Sequence, residues 1–144
     1  DTALTVGIGT IRDALKKLLD VTSQSLEKGI EQARVGNYLS DISHAIQTFV
    51  EANHFSVVRD FVGHGIGKNL HEDPEIPNFG PAHNGPILKE GMVFAIEPMV
   101  NMGTWQTKIL DDGWTVVTQD GAPSAHFEHT VVITAQGPEI LTRT

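Results

Sequence analysis

Apolar residues recur near the start of the chain at steps of three and four. Ile11, Leu15, Leu18, Leu19, Thr22, Leu26, Ile30 and Ala33 form one stripe, with Arg12, Lys16, Lys17, Glu27, Lys28 and Glu31 falling mostly elsewhere. That is the pattern of an amphipathic helix, and Gly36-Asn37 marks its end. A second stripe, Ile42, Ala45, Ile46, Phe49 and Val50, predicts another helix, with Ser40 or Asp41 as its N-cap and an end near Asn53-His54. Elsewhere the period is two or the run is continuously apolar. Thr2–Ile8 predicts a strand closed by Gly7 and Gly9, and Phe55–Val62, Met92–Val100, Trp114–Thr118 and Phe127–Thr134 predict four more. Glu139–Leu141 predicts a short last one. Gly63–Gly91 breaks the pattern with Pro74, Pro77, Pro81 and Pro86, and with His64, His71 and His83. A loop-dominated stretch of that length is usually functional or disordered. A strand, two helices and then several strands predict an α+β fold, with helices covering one face of a largely antiparallel sheet.

Composition narrows what such a fold can do. At 144 residues and 15.6 kDa the chain is sized for one domain. Hydrophobic residues make up 40% and charged residues 19%, which excludes a disordered or collagen-like chain. A net charge of −8 and a pI of 5.2 argue against a phosphate backbone as partner. No apolar run approaches the roughly 18 residues of a membrane span. Cysteine is absent, which removes disulfides, thiol nucleophiles and Cys-ligated metals and fits a reducing compartment. Any metal must use His, Asp or Glu. The chain opens Asp1-Thr2-Ala3, as if cut from the middle of something.

Four segments could carry chemistry. In Gly63-His64-Gly65-Ile66-Gly67 a histidine between glycines can be approached closely by backbone or ligand, although a turn with a bystander histidine reads equally well. His71 follows in the same stretch and could donate to a carbonyl or an oxyanion, whereas Glu72 and Asp73 read as a solvated acidic loop. Glu97 closes the apolar run Met92–Ile96, where an unpaired carboxylate would cost several kcal/mol, so it calls for a cation, a metal or a proton. Glu128 interrupts the β-prone run Phe127–Ile133, sharing a face with His126 and Thr130, and no Lys or Arg lies in that strand to pair with it. His129, on the opposite face, reads as a satisfied core histidine. Asp1 carries no signal of its own. One histidine and two strand-borne carboxylates form an N/O donor set suited to Mn, Fe(II), Co or Zn, and to hydrolysis of an amide or ester.

These segments resemble those of the type I methionine aminopeptidases, of the pita-bread fold shared with aminopeptidase P, prolidase and creatinase. The resemblance rests on Phe61–Phe79 around His64 and His71, on Leu88–Asn101 around Glu97-Pro98, on Asp112-Gly113-Trp114, and on Ser124–Thr130 around Glu128. Asp1-Thr2 matches the end of a Gly-Asp-Thr stretch, and no long insertion separates His64 from Glu97, the type I pattern. The resemblance implies two helices on a curved, largely antiparallel sheet. It implies removal of the N-terminal methionine from nascent polypeptides by a metal-activated hydroxide, with two divalent ions. Asp1 and Glu128 would bridge the two metals, His64 would be the histidine ligand, and Glu97 a terminal ligand and general base. His71 would bind the substrate carbonyl or the tetrahedral intermediate. Trp114 and Leu70 would border the methionine pocket, and a monovalent cation would sit near Ser124. A monomeric, cytoplasmic enzyme without nucleic-acid or membrane partners is expected.

The departure is at the front, since the family carries a further metal-binding Asp and a further catalytic His upstream of Asp1. Residues 1–144 are therefore expected to be the C-terminal part of a metallopeptidase catalytic domain, weakly active or inactive alone. Two rivals remain open: a Pro-directed aminopeptidase of the same fold, and a non-catalytic pita-bread binding module, which would have lost ligands.

Overall fold

The computed structural model describes residues 1–143. One short strand precedes two helices, α1 (Asp13–Gln32) and α2 (Leu39–Ala52), and ten follow; among the described residues all strands pair antiparallel. The strands are β1 (Thr2–Ala3), β2 (Ser56–Val57), β3 (Gly63–Gly65), β4 (Glu72–Ile76), β5 (Val93–Ile96), β6 (Met99–Asn101), β7 (Thr107–Ile109), β8 (Val116–Thr118), β9 (Ser124–His126), β10 (Glu128–Thr134) and β11 (Gly137–Ile140). One sheet runs β1-β10-β5-β3-β4, with β11 also on β10; a second runs β2-β6-β9; β7 and β8 form a separate hairpin.

The helical stripes fold as their periodicity predicts. Leu18, Leu26 and Ile30 of α1 and Ile42, Ile46 and Val50 of α2 are all buried. Gly29 lets the two helices approach, because a Cβ there would meet the Ile46 side chain at 2.8 Å. α1 lies against β5, β6, β9 and β10, and α2 against β2 and β4, so one helical layer backs both main sheets. Its core joins Phe94, Ile96, Val100, Val131 and Ile133 to the helices. No described helix is long and apolar enough to cross a membrane.

Several boundaries differ from expectation. The α2 N-cap is Tyr38, two residues before the predicted serine, and Asp41 instead occupies the third helical position, accepting the Tyr38 N–H at 2.8 Å. Its other oxygen accepts the His83 N–H at 2.8 Å, which ties the proline-rich segment to the helix. The strand predicted over Thr2–Ile8 forms only at Thr2–Ala3, and that over Phe55–Val62 only at Ser56–Val57, with one further bond from the Val58 N–H to the Met99 carbonyl at 2.9 Å. The stretch 63–91 is not all loop: β3 and β4 pair within it. Glu72 and Asp73 therefore stand in a strand, and Pro74 is tolerated because β4 is the sheet edge.

Candidate metal centre

Two strands change sheets at the same level. β5 ends at Ile96, Glu97-Pro98 intervene, and β6 continues in the other sheet, so the predicted single run Met92–Val100 is two strands. Pro98 has no N–H to give to a ladder. Beside it, β9 gives way to β10 at Phe127, whose N–H meets the Pro98 carbonyl at 3.4 Å. Glu97 and Glu128 therefore sit next to each other at a corner between the sheets. Four adjacent strands each deliver one side chain there: Asp1 just before β1, Glu128 on β10, Glu97 just after β5, and His64 on β3.

The sequence explains how each is held. His64 pairs with Ala95 across β3–β5 and with Glu75 across β3–β4, and its flanking glycines are required by these two approaches. A Cβ at Gly63 would collide with the Ala95 carbonyl, and one at Gly65 with that of Asp73. The His64 Nδ1 lies 3.0 Å from the Gly65 carbonyl, which can only accept, so Nε2 is left to present its lone pair. Thr130 grips Asp1: its hydroxyl donates to the Asp1 carbonyl at 2.7 Å and accepts from the Asp1 nitrogen at 2.8 Å. The Thr2 hydroxyl donates to the Glu128 carbonyl at 3.0 Å.

Asp1, His64 and Glu128 offer ligand atoms that all lie within 4.8 Å of one another. His64 is 8% and Glu128 4% exposed. Glu97 is adjacent, with Oε1 3.7 Å from His64 Nε2. Burial, and then the charge of Glu128, push the Glu97 carboxyl up to about 7, and burial likewise raises Glu128. The Glu128 Oε1 is buried and has no hydrogen-bond partner among the described residues. Such an orphan costs about 1–3 kcal/mol. A buried, partnerless carboxylate oxygen beside an imidazole lone pair and a second carboxylate fits a divalent cation.

His71 is exposed, its ring 4.0 Å from that of His64 between centroids, and it lines a polar cleft of about 750 Å³ with His64, Glu72 and Glu97. A more apolar cleft of about 500 Å³ shares Phe61 and Glu97 with it and is bordered by Met99, Asn101 and Ser124. Leu70 is 53% and Trp114 87% exposed, and neither lines either cleft. Trp114 stands in the β7–β8 turn, where Asp112 accepts its N–H. His129 is satisfied by its hydrogen bond to Thr142, at 2.8 Å, but it is only partly buried, at the rim of a surface cleft and not in the core.

Two further residues touch Glu97. Asn78, 1% exposed, donates from Nδ2 to the Glu97 carbonyl at 3.2 Å and so braces the strand break. No periodicity marks it, although it lies within Phe61–Phe79, one of the segments that carry the resemblance. His126 brings Nε2 to 3.6 Å from Glu97 Oε2. Its position two residues before Glu128 was the available signal.

A curved antiparallel sheet backed by two helices, with one imidazole and carboxylates meeting at its corner, is the arrangement of a metallopeptidase. The chain belongs to metallopeptidase family M24, whose model matches residues 1–135, and it has the pita-bread fold. It is 63% identical over 142 residues to a methionine aminopeptidase of Clostridium perfringens, covering 99% of this chain and 57% of that protein. A crystal structure of methionine aminopeptidase from Thermotoga maritima superposes with a TM-score of 0.93 at 50% identity, over 95% of this chain and 55% of that one. The prolidase of Pyrococcus horikoshii, at 20% identity and a TM-score of 0.72 over 99% of this chain and 35% of that one, shares the fold. The chain thus spans a little over half the length of the methionine aminopeptidases it matches.

Proposed function

We propose that these residues form part of the catalytic domain of a metal-dependent aminopeptidase that removes the N-terminal methionine from nascent polypeptides. The observation that carries the reading is the convergence of Asp1, His64 and Glu128 around a partnerless buried oxygen, with Glu97 beside them. The identity to methionine aminopeptidases supports methionine over proline-directed specificity. Asp1, His64, Glu97 and Glu128 would hold divalent metal, with Mn, Fe(II), Co and Zn all matched to the donor set. When bound, the metal supplies Lewis-acid polarisation of the scissile carbonyl and makes water more acidic.

The remaining work falls to side chains. Glu97 takes a proton from the attacking water and passes it to the leaving amine. His71, in the polar cleft, donates to the substrate oxygen as negative charge develops there. Leu70 and Trp114, which lie outside both clefts, and Ser124, which borders the apolar one, are assigned by the family resemblance alone to the methionine side chain and to a monovalent cation.

The test is methionine release from Met-Ala-Ser by the complete protein loaded with Co(II) or Mn(II). Glu97→Gln is expected to lower turnover by about 10²–10⁴-fold. Near wild-type turnover of that variant, or preference for X-Pro peptides over Met-Ala-Ser, would overturn the reading.

A further inference from the structure

We infer that His126 is a positioning residue for Glu97, an inference that rests on the reading of Glu97 as ligand and general base. The two Glu97 oxygens face different imidazoles: Oε1 lies 3.7 Å from His64 Nε2, and Oε2 lies 3.6 Å from His126 Nε2. The His126 nitrogen is buried and has no hydrogen-bond partner, while the ring as a whole is 37% exposed. Among the described residues, Glu97 supplies the one acidic oxygen within 4.0 Å of it.

The ring is delivered there by a fixed backbone. The Thr5 hydroxyl donates to the His126 carbonyl and accepts its N–H, both at 2.9 Å. Across β6–β9, His126 pairs with Met99, the second residue after Glu97. A nitrogen held this way, 3.6 Å from the Glu97 oxygen, stands just outside hydrogen-bond range. Such contacts commonly tighten when a catalytic site is engaged. As a neutral donor, His126 holds Oε2 and leaves Oε1 facing His64, which fixes the carboxylate plane and separates its two functions. His126 itself lies outside the cluster of ligand atoms formed by Asp1, His64 and Glu128.

The experiment compares His126→Leu and His126→Gln with wild type in the complete protein, after circular dichroism shows each to be folded. Co(II) is the probe. Its affinity and its visible absorption spectrum are recorded alongside kcat and KM for Met-Ala-Ser. The leucine is expected to weaken Co(II) binding about 10-fold, as loss of an outer partner does, and to lower kcat by a similar factor with KM little changed. The glutamine, which keeps a neutral N–H donor, is expected to restore both and to leave the spectrum unchanged. If the leucine variant does not fold, His126→Asn, too short to reach Oε2, takes its place. Wild-type affinity in the leucine variant, or a glutamine no better than leucine, overturns the inference. So does a spectrum in the glutamine variant showing that a nitrogen ligand has been lost. Absence of methionine release from wild type, with the Co(II) order intact, removes the aminopeptidase reading and leaves the positioning role standing.

Discussion

The helical layer and the sheet corner treat buried polar groups in opposite ways. In α1, Thr22 and Ser25 are fully buried, yet each hydroxyl donates at 2.7 Å to a carbonyl of its own helix, those of Leu18 and Thr22. At the corner, Glu128 Oε1 and His126 Nε2 are buried with no hydrogen-bond partner. Local satisfaction makes the helical layer cheap to keep folded. The corner keeps its polar atoms open and depends on the layer behind it to hold them there. Stability and chemistry thus reside in different parts of one small chain.

That division can be broken by substitution. Ile46, fully buried between the helices, should bear the largest effect on stability: Ile46→Ala is expected to cost about 4 kcal/mol in denaturant unfolding. Metal affinity of the folded fraction should be unaltered, and a parallel loss of Co(II) binding would erase the distinction. Gly63→Ala should act on both sides at once. Its Cβ would push against the Ala95 carbonyl and displace β3, at about 2–3 kcal/mol, and the shift of His64 should weaken Co(II) binding at least about 10-fold. An alanine variant with intact affinity would show that the glycine serves packing alone. Asp41→Asn should be the mildest, about 1 kcal/mol at neutral pH, through loss of a charge at the α2 N-terminus.

The Asp41 effect has a defined pH dependence. Burial alone would raise the Asp41 carboxyl, but N–H groups of His83 and Tyr38 outweigh it and leave it below the usual carboxylate value. Its contribution is therefore present above the unfolded pKa of about 3.9 and is lost as pH falls through the lower folded value. The gap between wild type and Asp41→Asn should close as pH falls below the usual carboxylate range, measured by thermal unfolding across pH.

Legibility in the sequence followed the same divide. The helical stripes were readable because burial on a helix repeats every three or four residues, and Leu18, Leu26, Ile42 and Ile46 all landed inside. Glu97 and Glu128 were readable because each carboxylate interrupts an apolar strand. The split of Met92–Val100 into β5 and β6 is not, since Pro98 lies inside a continuous apolar run and which sheet each half joins depends on distant partners. β4 was hidden by Pro74, which only an edge strand tolerates. β7 was missed because Thr107–Ile109 pairs with β8 alone. Leu70 and Trp114 carry only the family resemblance, and both lie outside the two clefts.

The corner built by Glu97-Pro98 and Phe127-Glu128 has a consequence for inheritance. Neighbouring strands lie about 4.7–4.9 Å apart whatever side chains they carry. The spacing of the two carboxylates is therefore written in the backbone ladder between β5 and β10. Point substitutions in the helices or in the β7–β8 turn can accumulate without altering that gap. A single inserted or deleted residue in either strand would slip the register and turn a carboxylate to the opposite face. A lineage carrying this site should drift freely in spelling while its counting between Val93 and Glu97, and between Glu128 and Val132, stays fixed.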